Sequence, residues 1–82
     1  MLEKNIYVIA KIFNQQGCIA YRCNTINEAR CLPGTLESIR ADGVQIVILD
    51  DPEIYSEYAP YEYVKDMREF IDRVAALNVV MN

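Results

Sequence analysis

The first part of the chain has the apolar pattern of two consecutive β-strands. Residues 5–13 (NIYVIAKIF) are apolar at nearly every position and rich in β-branched and aromatic side chains, which is typical of a strand covered on both faces. Residues 18–24 (CIAYRCN) alternate more cleanly between two faces. Between them, NQQG supplies turn residues, and Gly17 is free to adopt a positive φ. We therefore predict a β-hairpin.

A helical pattern follows the hairpin, over residues 24–43. Asn24 or Thr25 is suited to cap its start, and Gly43 is suited to the position just after its end. The apolar positions recur at intervals of three or four. They are Ile26, Ala29, Leu32, Leu36 and Ile39.

Pro33 and Gly34 interrupt this helical pattern. A proline inside a helix removes a hydrogen bond and costs about 3 kcal/mol. We therefore predict a short helical turn over residues 26–31 and a main helix over residues 34–41, with Thr35 as a second possible cap.

The second half of the chain predicts two more strands and a helix. Residues 44–49 (VQIVIL) are the most strand-like run and are expected to form a central strand, while residues 61–64 (YEYV) suit a short edge strand. Residues 66–79 (DMREFIDRVAALNV) form a helix in which Asp66 and Glu69 make a capping-box-like pair. The predicted buried stripe of this helix is Met67, Phe70, Ile71, Val74 and Leu77.

The order ββαβ(β)α predicts an α+β fold, with residues 1–82 forming a single domain. The expected sheet is small and antiparallel. Its central order is 2-1-3, with the short fourth strand outside the third, and both helices pack on one face. The other face of the first strand then needs a cover. Three covers are possible: the tyrosine-rich residues 55–63, the separate run NVVMN at residues 78–82, or a second copy of the protein. A homodimer is therefore one hypothesis.

Charge and composition exclude several functions. The composition is that of a globular protein, with 52% hydrophobic and 24% charged residues. The formal net charge is −4, and residues 50–82 carry three basic residues and eight acids, or −5. An acidic half repels phosphate backbones, so ordinary nucleic-acid binding is not expected. The acidic half is suited to a basic partner or simply to a solvated surface.

The cysteine and histidine counts limit the chemistry further. Three cysteines and no histidine fit neither a disulfide scaffold nor a zinc site, and they exclude the usual nucleophile–histidine triads. This composition suits a reducing cytoplasm. The short apolar run near the start is a strand rather than an export signal or a membrane span, and no cofactor is predicted. Asp50, Asp51 and Glu53 could bind a divalent cation, although Asp-Asp-Pro is also an ordinary strand terminator.

Residues 55–63 (YSEYAPYEY) form the most distinctive segment of the chain. Three of its tyrosines are spaced by three, as in a turn of 3₁₀-helix, and the last two alternate as in a strand. The rings could lie over the sheet as a lid, or they could form a recognition surface rimmed by glutamates. The candidate binding residues are Tyr55, Tyr58, Tyr61, Tyr63, Glu57 and Glu62.

Three sequence motifs together resemble those of a family of short, uncharacterised bacterial proteins with a domain of unknown function. They are GCIAY at residues 17–21, GVQIV at residues 43–47 and YSEYAPY at residues 55–61. The resemblance extends over residues 6–77. It implies a small bacterial cytoplasmic protein and transfers no catalytic residue. It also implies a first helix that is longer and less interrupted than the Pro33 pattern predicts.

The functional prediction is a non-catalytic interaction module that uses the acidic, tyrosine-rich segment to bind a protein partner. A small-molecule-binding regulatory domain is the first alternative, with the tyrosines lining a pocket. An acidic mimic of nucleic acid is the second, and its charge is modest for that role. An enzyme ranks last, because no histidine and no catalytic motif is present.

Overall fold

A four-stranded mixed sheet with two α-helices on one face forms the framework of this protein. The structure is a computed structural model that describes residues 5–77. Two short 3₁₀ segments, Pro52–Ile54 and Ser56–Tyr58, lie in the connection between the third and fourth strands. The elements are β1 (Tyr7–Ile12), β2 (Cys18–Arg22), α1 (Ile26–Ile39), β3 (Val44–Leu49), β4 (Tyr61–Val64) and α2 (Met67–Ala76).

The strands lie in the order β3-β1-β2-β4. β1 is antiparallel to both β2 and β3, which confirms the α+β class and the predicted central order 2-1-3. The placement of the fourth strand was wrong, because β4 pairs in parallel with β2 rather than lying outside β3. The sheet is therefore mixed rather than antiparallel, and β3 is an edge strand rather than a central one. Residues 50–60 are long enough to cross the whole sheet between these two edges.

Handedness explains why that crossing takes the face opposite the helices. β2, β3 and β4 all run in one direction, opposite to β1. The chain travels from β2 to β3 through α1 on one face, and then returns across the sheet from β3 to β4. Connections between parallel strands of one sheet share the same hand, so reversing the direction of travel requires the opposite face. Residues 50–60 therefore lie on the face that the helices leave open.

The helix-covered face holds the larger core. Tyr21 of β2 is 1% exposed and stacks on Phe70 of α2, with ring centroids 5.5 Å apart. Its hydroxyl donates to the Glu28 carboxylate of α1 at 2.8 Å, so one side chain contacts both helices. Burial, together with this hydrogen bond and the charge of Glu28, raises the pKa of Tyr21. The buried residues of this core are Val8, Ala10, Ile19, Tyr21, Cys23, Leu32, Leu36, Val44, Val64, Phe70 and Val74.

The first helix is continuous through Pro33, so the predicted division into two pieces was wrong. Leu32 and Leu36 lie on either side of the proline and both are buried in the helix-covered core. A break at residue 33 would remove one of them from the core, and the apolar area they bury outweighs the missing hydrogen bond. The uninterrupted helix agrees with the family resemblance.

The two helices begin and end as follows. Thr25 caps α1 and accepts a hydrogen bond from the Glu28 amide at 3.2 Å, as predicted. Asp66 caps α2 and accepts from the Glu69 amide at 2.9 Å, also as predicted. The prediction for Gly43 was wrong: α1 ends at Ile39, and Gly43, with a φ of 91°, lies in the turn that leads into β3. The predicted end of α2 at residues 78–79 lies outside the described residues.

Alanine substitutions at two glycines should change the free energy of unfolding in opposite directions. Gly34 lies inside α1, and a Cβ built there meets nothing within 4 Å. We expect Gly34→Ala to raise the free energy of unfolding by about 0.5–1 kcal/mol, because alanine loses less backbone entropy on folding. Gly17 has a φ of 90°, and a Cβ there would lie 3.4 Å from the Pro60 carbonyl oxygen.

Because an L-residue is strained at the positive φ of Gly17, Gly17→Ala should lower the free energy of unfolding by about 1–2 kcal/mol. Urea denaturation followed by circular dichroism measures both changes. A loss of stability in Gly34→Ala would contradict a helix that continues through residue 34.

Candidate functional site

Three tyrosines of residues 55–63 cover the second face of the sheet. Tyr55, Tyr58 and Tyr61 are half-buried and pack against a second core made by Ile9, Cys18, Ala20 and Leu49. This face is the one that the sequence left without a cover. Of the three covers considered, the tyrosine segment is the one that the structure shows. Residues 78–82 lie outside the described part of the chain, and the homodimer stays a prediction.

Hydrogen bonds hold this segment in place. The Tyr61 hydroxyl donates to the Tyr55 carbonyl oxygen at 2.6 Å, which closes the segment on itself. The Cys18 amide donates to the Pro60 carbonyl oxygen at 3.1 Å, which fixes the end of the segment to β2. The 3₁₀ segment Ser56–Tyr58 agrees with the predicted spacing. Burial, followed by the negative charge of Glu57, raises the pKa of the Tyr58 hydroxyl.

The two candidate glutamates differ in their distance from these rings: Glu57 is close enough for its charge to raise the pKa of Tyr58, whereas Glu62 lies on the helix-covered face of the sheet. Glu62 belongs to β4 and forms an ion pair with Arg73 of α2, which lowers the pKa of the Glu62 carboxyl. This pair links the edge of the sheet to the second helix. Glu57 is exposed at the surface of the segment. The six predicted residues therefore do not converge on one site.

Tyr63 is the candidate tyrosine that remains accessible, since 47% of its surface is exposed. Its ring stacks on Tyr61, with centroids 6.0 Å apart and planes at 15°. It also meets Tyr7 of β1 edge to face, with centroids 6.0 Å apart. Ala20 pairs with Tyr63 across the sheet, and its small side chain leaves room for the two rings to meet above β2. Tyr7 and Tyr63 thus form an aromatic wall that the sequence did not predict.

This wall borders a cleft of about 560 Å³ at the end of β3. Three carboxylates share the lining with the two rings, and the lining described within residues 5–77 includes no basic side chain. The ion pairs found in that range join Arg40 to Glu37 and Arg73 to Glu62, and neither reaches the cleft. The lining residues are Asn5, Tyr7, Asp50, Asp51, Pro52, Glu53 and Tyr63.

The charge of one carboxylate in the cleft lining affects the ionisation of a tyrosine in the same lining. Desolvation, followed by the nearby negative charge of Glu53, raises the pKa of Tyr63. Within residues 5–77, no group of three aspartate, glutamate or cysteine side chains is placed to hold a metal ion. The carboxylates therefore lie around the cleft as a negative rim, and the divalent-cation hypothesis for Asp50, Asp51 and Glu53 receives no geometric support from the described residues.

The cysteines divide into buried and exposed thiols. Cys18 and Cys23 are buried on opposite faces of the sheet. Desolvation raises the pKa of each of these two thiols to about 11. Cys31 lies on α1 and is exposed. All three cysteines are free thiols.

The fold and site together define a small α+β domain with a helix-covered face, a tyrosine-covered face and an acidic, aromatic cleft at one end. The family of unknown function DUF6718 matches residues 1–77, and the chain belongs to that family. Comparison with curated proteins found no match. Neither helix within residues 5–77 has the length and apolar character needed to cross a membrane.

The hydroxyl of Tyr61 gives a direct test of the tyrosine lid. Tyr61→Phe removes the donor to the Tyr55 carbonyl oxygen and should lower the free energy of unfolding by about 0.5–1.5 kcal/mol. Tyr58→Phe is the matched control, because the Tyr58 hydroxyl has no hydrogen-bond partner among the described residues. Denaturant unfolding measures both. Equal effects of the two substitutions would contradict a closed segment.

The thiols predict an order of alkylation. At pH 8, a thiol with a pKa of about 11 is ionised to about one part in a thousand, and burial also blocks the reagent. We expect iodoacetamide to modify Cys31 first, and Cys18 and Cys23 only after unfolding in urea. Mass spectrometry of the digested protein identifies the modified residues. Rapid alkylation of Cys18 in the folded protein would show that the tyrosine segment opens readily.

Proposed function

We propose that this protein is a non-catalytic interaction module that binds a basic segment of a partner protein in the acidic, aromatic cleft. One observation carries the proposal: the Tyr7–Tyr63 wall and three carboxylates that have no counter-ion within residues 5–77 line the same cleft. An arginine or lysine side chain entering the cleft would meet an aromatic surface on one side and negative charge on the other.

The cleft restricts where in the tyrosine-rich segment a partner would bind. Tyr55, Tyr58 and Tyr61 are engaged in covering the sheet, so their surfaces are largely committed to the protein's own core. Tyr63 at the end of the segment offers an exposed ring, and the acids that accompany it are Asp50, Asp51 and Glu53 rather than Glu57 and Glu62. We therefore place recognition at the end of the segment rather than along its length.

The charge of the surrounding chain favours the same kind of partner. Residues 50–82 carry a net charge of −5, from three basic residues and eight acids. Such a field attracts a basic segment and accelerates its association, while it repels acidic partners.

The same proposal places the protein in the bacterial cytoplasm. The three free thiols support a reducing compartment, since oxidising compartments favour disulfides. The absence of histidine from the sequence supports a role without general acid–base catalysis.

A titration with a short lysine- and arginine-rich peptide tests the proposal. We expect peptide binding to shift the NMR signals of Tyr7 and Tyr63, and to weaken as salt is raised from about 50 to 300 mM. The double substitution Asp51→Asn and Glu53→Gln should weaken binding about three- to tenfold, because two rim charges are lost. An acidic peptide of equal length should not bind.

Glu57→Gln is the control. It removes one negative charge, against two in the double substitution, from the same connection between β3 and β4 but lies outside the cleft lining. The proposal requires it to leave peptide affinity within about twofold of wild type, which is the scale of an unspecific surface charge. If Glu57→Gln weakened binding as much as the cleft substitutions, the attraction would be a general effect of net charge and the cleft would not be the site.

A small cationic molecule is the second candidate ligand. The volume of about 560 Å³ lies within the range of sites that hold small ligands. Free arginine and tetramethylammonium serve as probes in the same NMR titration. If either binds as tightly as the peptide and shifts the same tyrosines, the module recognises a small cation. If only the peptide binds measurably, neighbouring residues of a protein partner supply part of the affinity.

A further inference from the structure

β3 presents a regular, uncharged edge. Its six residues, VQIVIL, form a continuous ladder with β1, from Tyr7↔Leu49 to Ile12↔Val44. No described residue pairs with its other side, since β3 ends the strand order. An edge strand with neither charge, proline nor bulge is an open template for another strand.

The opposite edge of the sheet is protected by comparison. β4 has four residues, follows Pro60 and is followed by Lys65 and Asp66. Its Glu62 forms an ion pair with Arg73 of α2. Short length, charge and proline are the features that prevent edge-to-edge pairing. The two edges therefore differ, and β3 is the one that accepts a strand.

Two exposed isoleucines suit this edge to a second copy of the same chain. Ile48 pairs with Val8 and so lies on the helix-covered face near the end of β3, yet it is 49% exposed. Ile39 ends α1 and is 37% exposed; residues 40–43 connect it directly to the start of β3. Ile39 therefore lies near the start of β3 and Ile48 near its end.

Antiparallel pairing of two β3 edges about a twofold axis places the end of one strand beside the start of the other. This arrangement brings Ile48 of each copy to the end where Ile39 of the other copy is exposed, and both pairs of helices fall on the same side of the joined sheet. A strand of unrelated sequence would not match both ends in this way.

We propose that the protein forms a homodimer through antiparallel pairing of its β3 strands, giving a continuous eight-stranded sheet. The dimer is weak, for two reasons. A six-residue edge with two flanking side chains buries less surface than a standard stable interface. Asp42 and Asp50 also flank β3 at its two ends, so the pairing brings acids of the two copies together.

Sedimentation equilibrium over about 10–500 µM tests the dimer, a range that spans weak association. We expect the wild-type mass to rise toward twice the monomer mass. Ile48→Lys places a charge on the paired edge and should weaken dimerisation about tenfold or more. Ile54→Lys is the matched control: Ile54 is also exposed, at 67%, and lies in the connection on the opposite face of the sheet. It should dimerise like wild type.

Amide hydrogen exchange of the wild-type protein supplies a measurement that needs no variant. The outward-facing amides of β3 should exchange several-fold more slowly at about 500 µM than at about 10 µM, as pairing protects them. Monomeric mass across the whole range overturns the proposal. The β3 interface is wrong if the dimer survives Ile48→Lys, or if both lysine substitutions weaken it equally. It is also wrong if dimerisation gives the β3 amides no added protection from exchange. If Ile48→Lys fails to fold, the exchange measurement decides.

Discussion

A central strand that is apolar on both faces is the constraint on which this structure depends. Val8 and Ala10 of β1 face one core, and Ile9 between them faces the other, and all three are at most 1% exposed. Two helices can cover only one side of such a strand. The other side is closed by Tyr55, Tyr58 and Tyr61. Aromatic rings are efficient covers, because each tyrosine buries a large apolar area and keeps its hydroxyl available for a hydrogen bond. Tyr61 does both: its ring packs against the second core, and its hydroxyl donates to the Tyr55 carbonyl oxygen.

The same constraint determines where the cleft lies. Residues 50–60 leave β3 at one edge and reach β4 at the other, so acids that terminate β3 and a tyrosine that belongs to β4 come to the same face. Tyr7 completes the arrangement from β1. The cleft is therefore a product of the crossing path, and its acidic and aromatic residues come from parts of the chain that are far apart in sequence.

Much of the local structure follows from the sequence, because it depends on neighbouring residues. Thr25 and Asp66 are recognisable caps, and residues 44–49 and 61–64 form strands with the predicted bounds. Prediction failed where distant contacts decide. Pro33 stays within a helix because buried leucines lie on both sides of it. β4 pairs with β2 because the return connection has to cross the open face, and no local pattern encodes that choice. Tyr7 was missed as a site residue because its partner Tyr63 belongs to a distant strand, and their contact depends on how the strands pair and in which register.

The parallel ladder between β2 and β4 couples the cleft to the folding of the whole chain. Cys18 pairs with Tyr61 and Ala20 with Tyr63, so the ladder closes a loop that contains α1, β3 and the tyrosine segment. Contacts of such long sequence separation carry a high loop-closure entropy cost. Tyr7 and Tyr63 are neighbours only in the folded chain, so an unfolded chain has no cleft. A ligand that binds there binds the native state alone, so its concentration sets the folded fraction of the protein as well as the occupancy of the site.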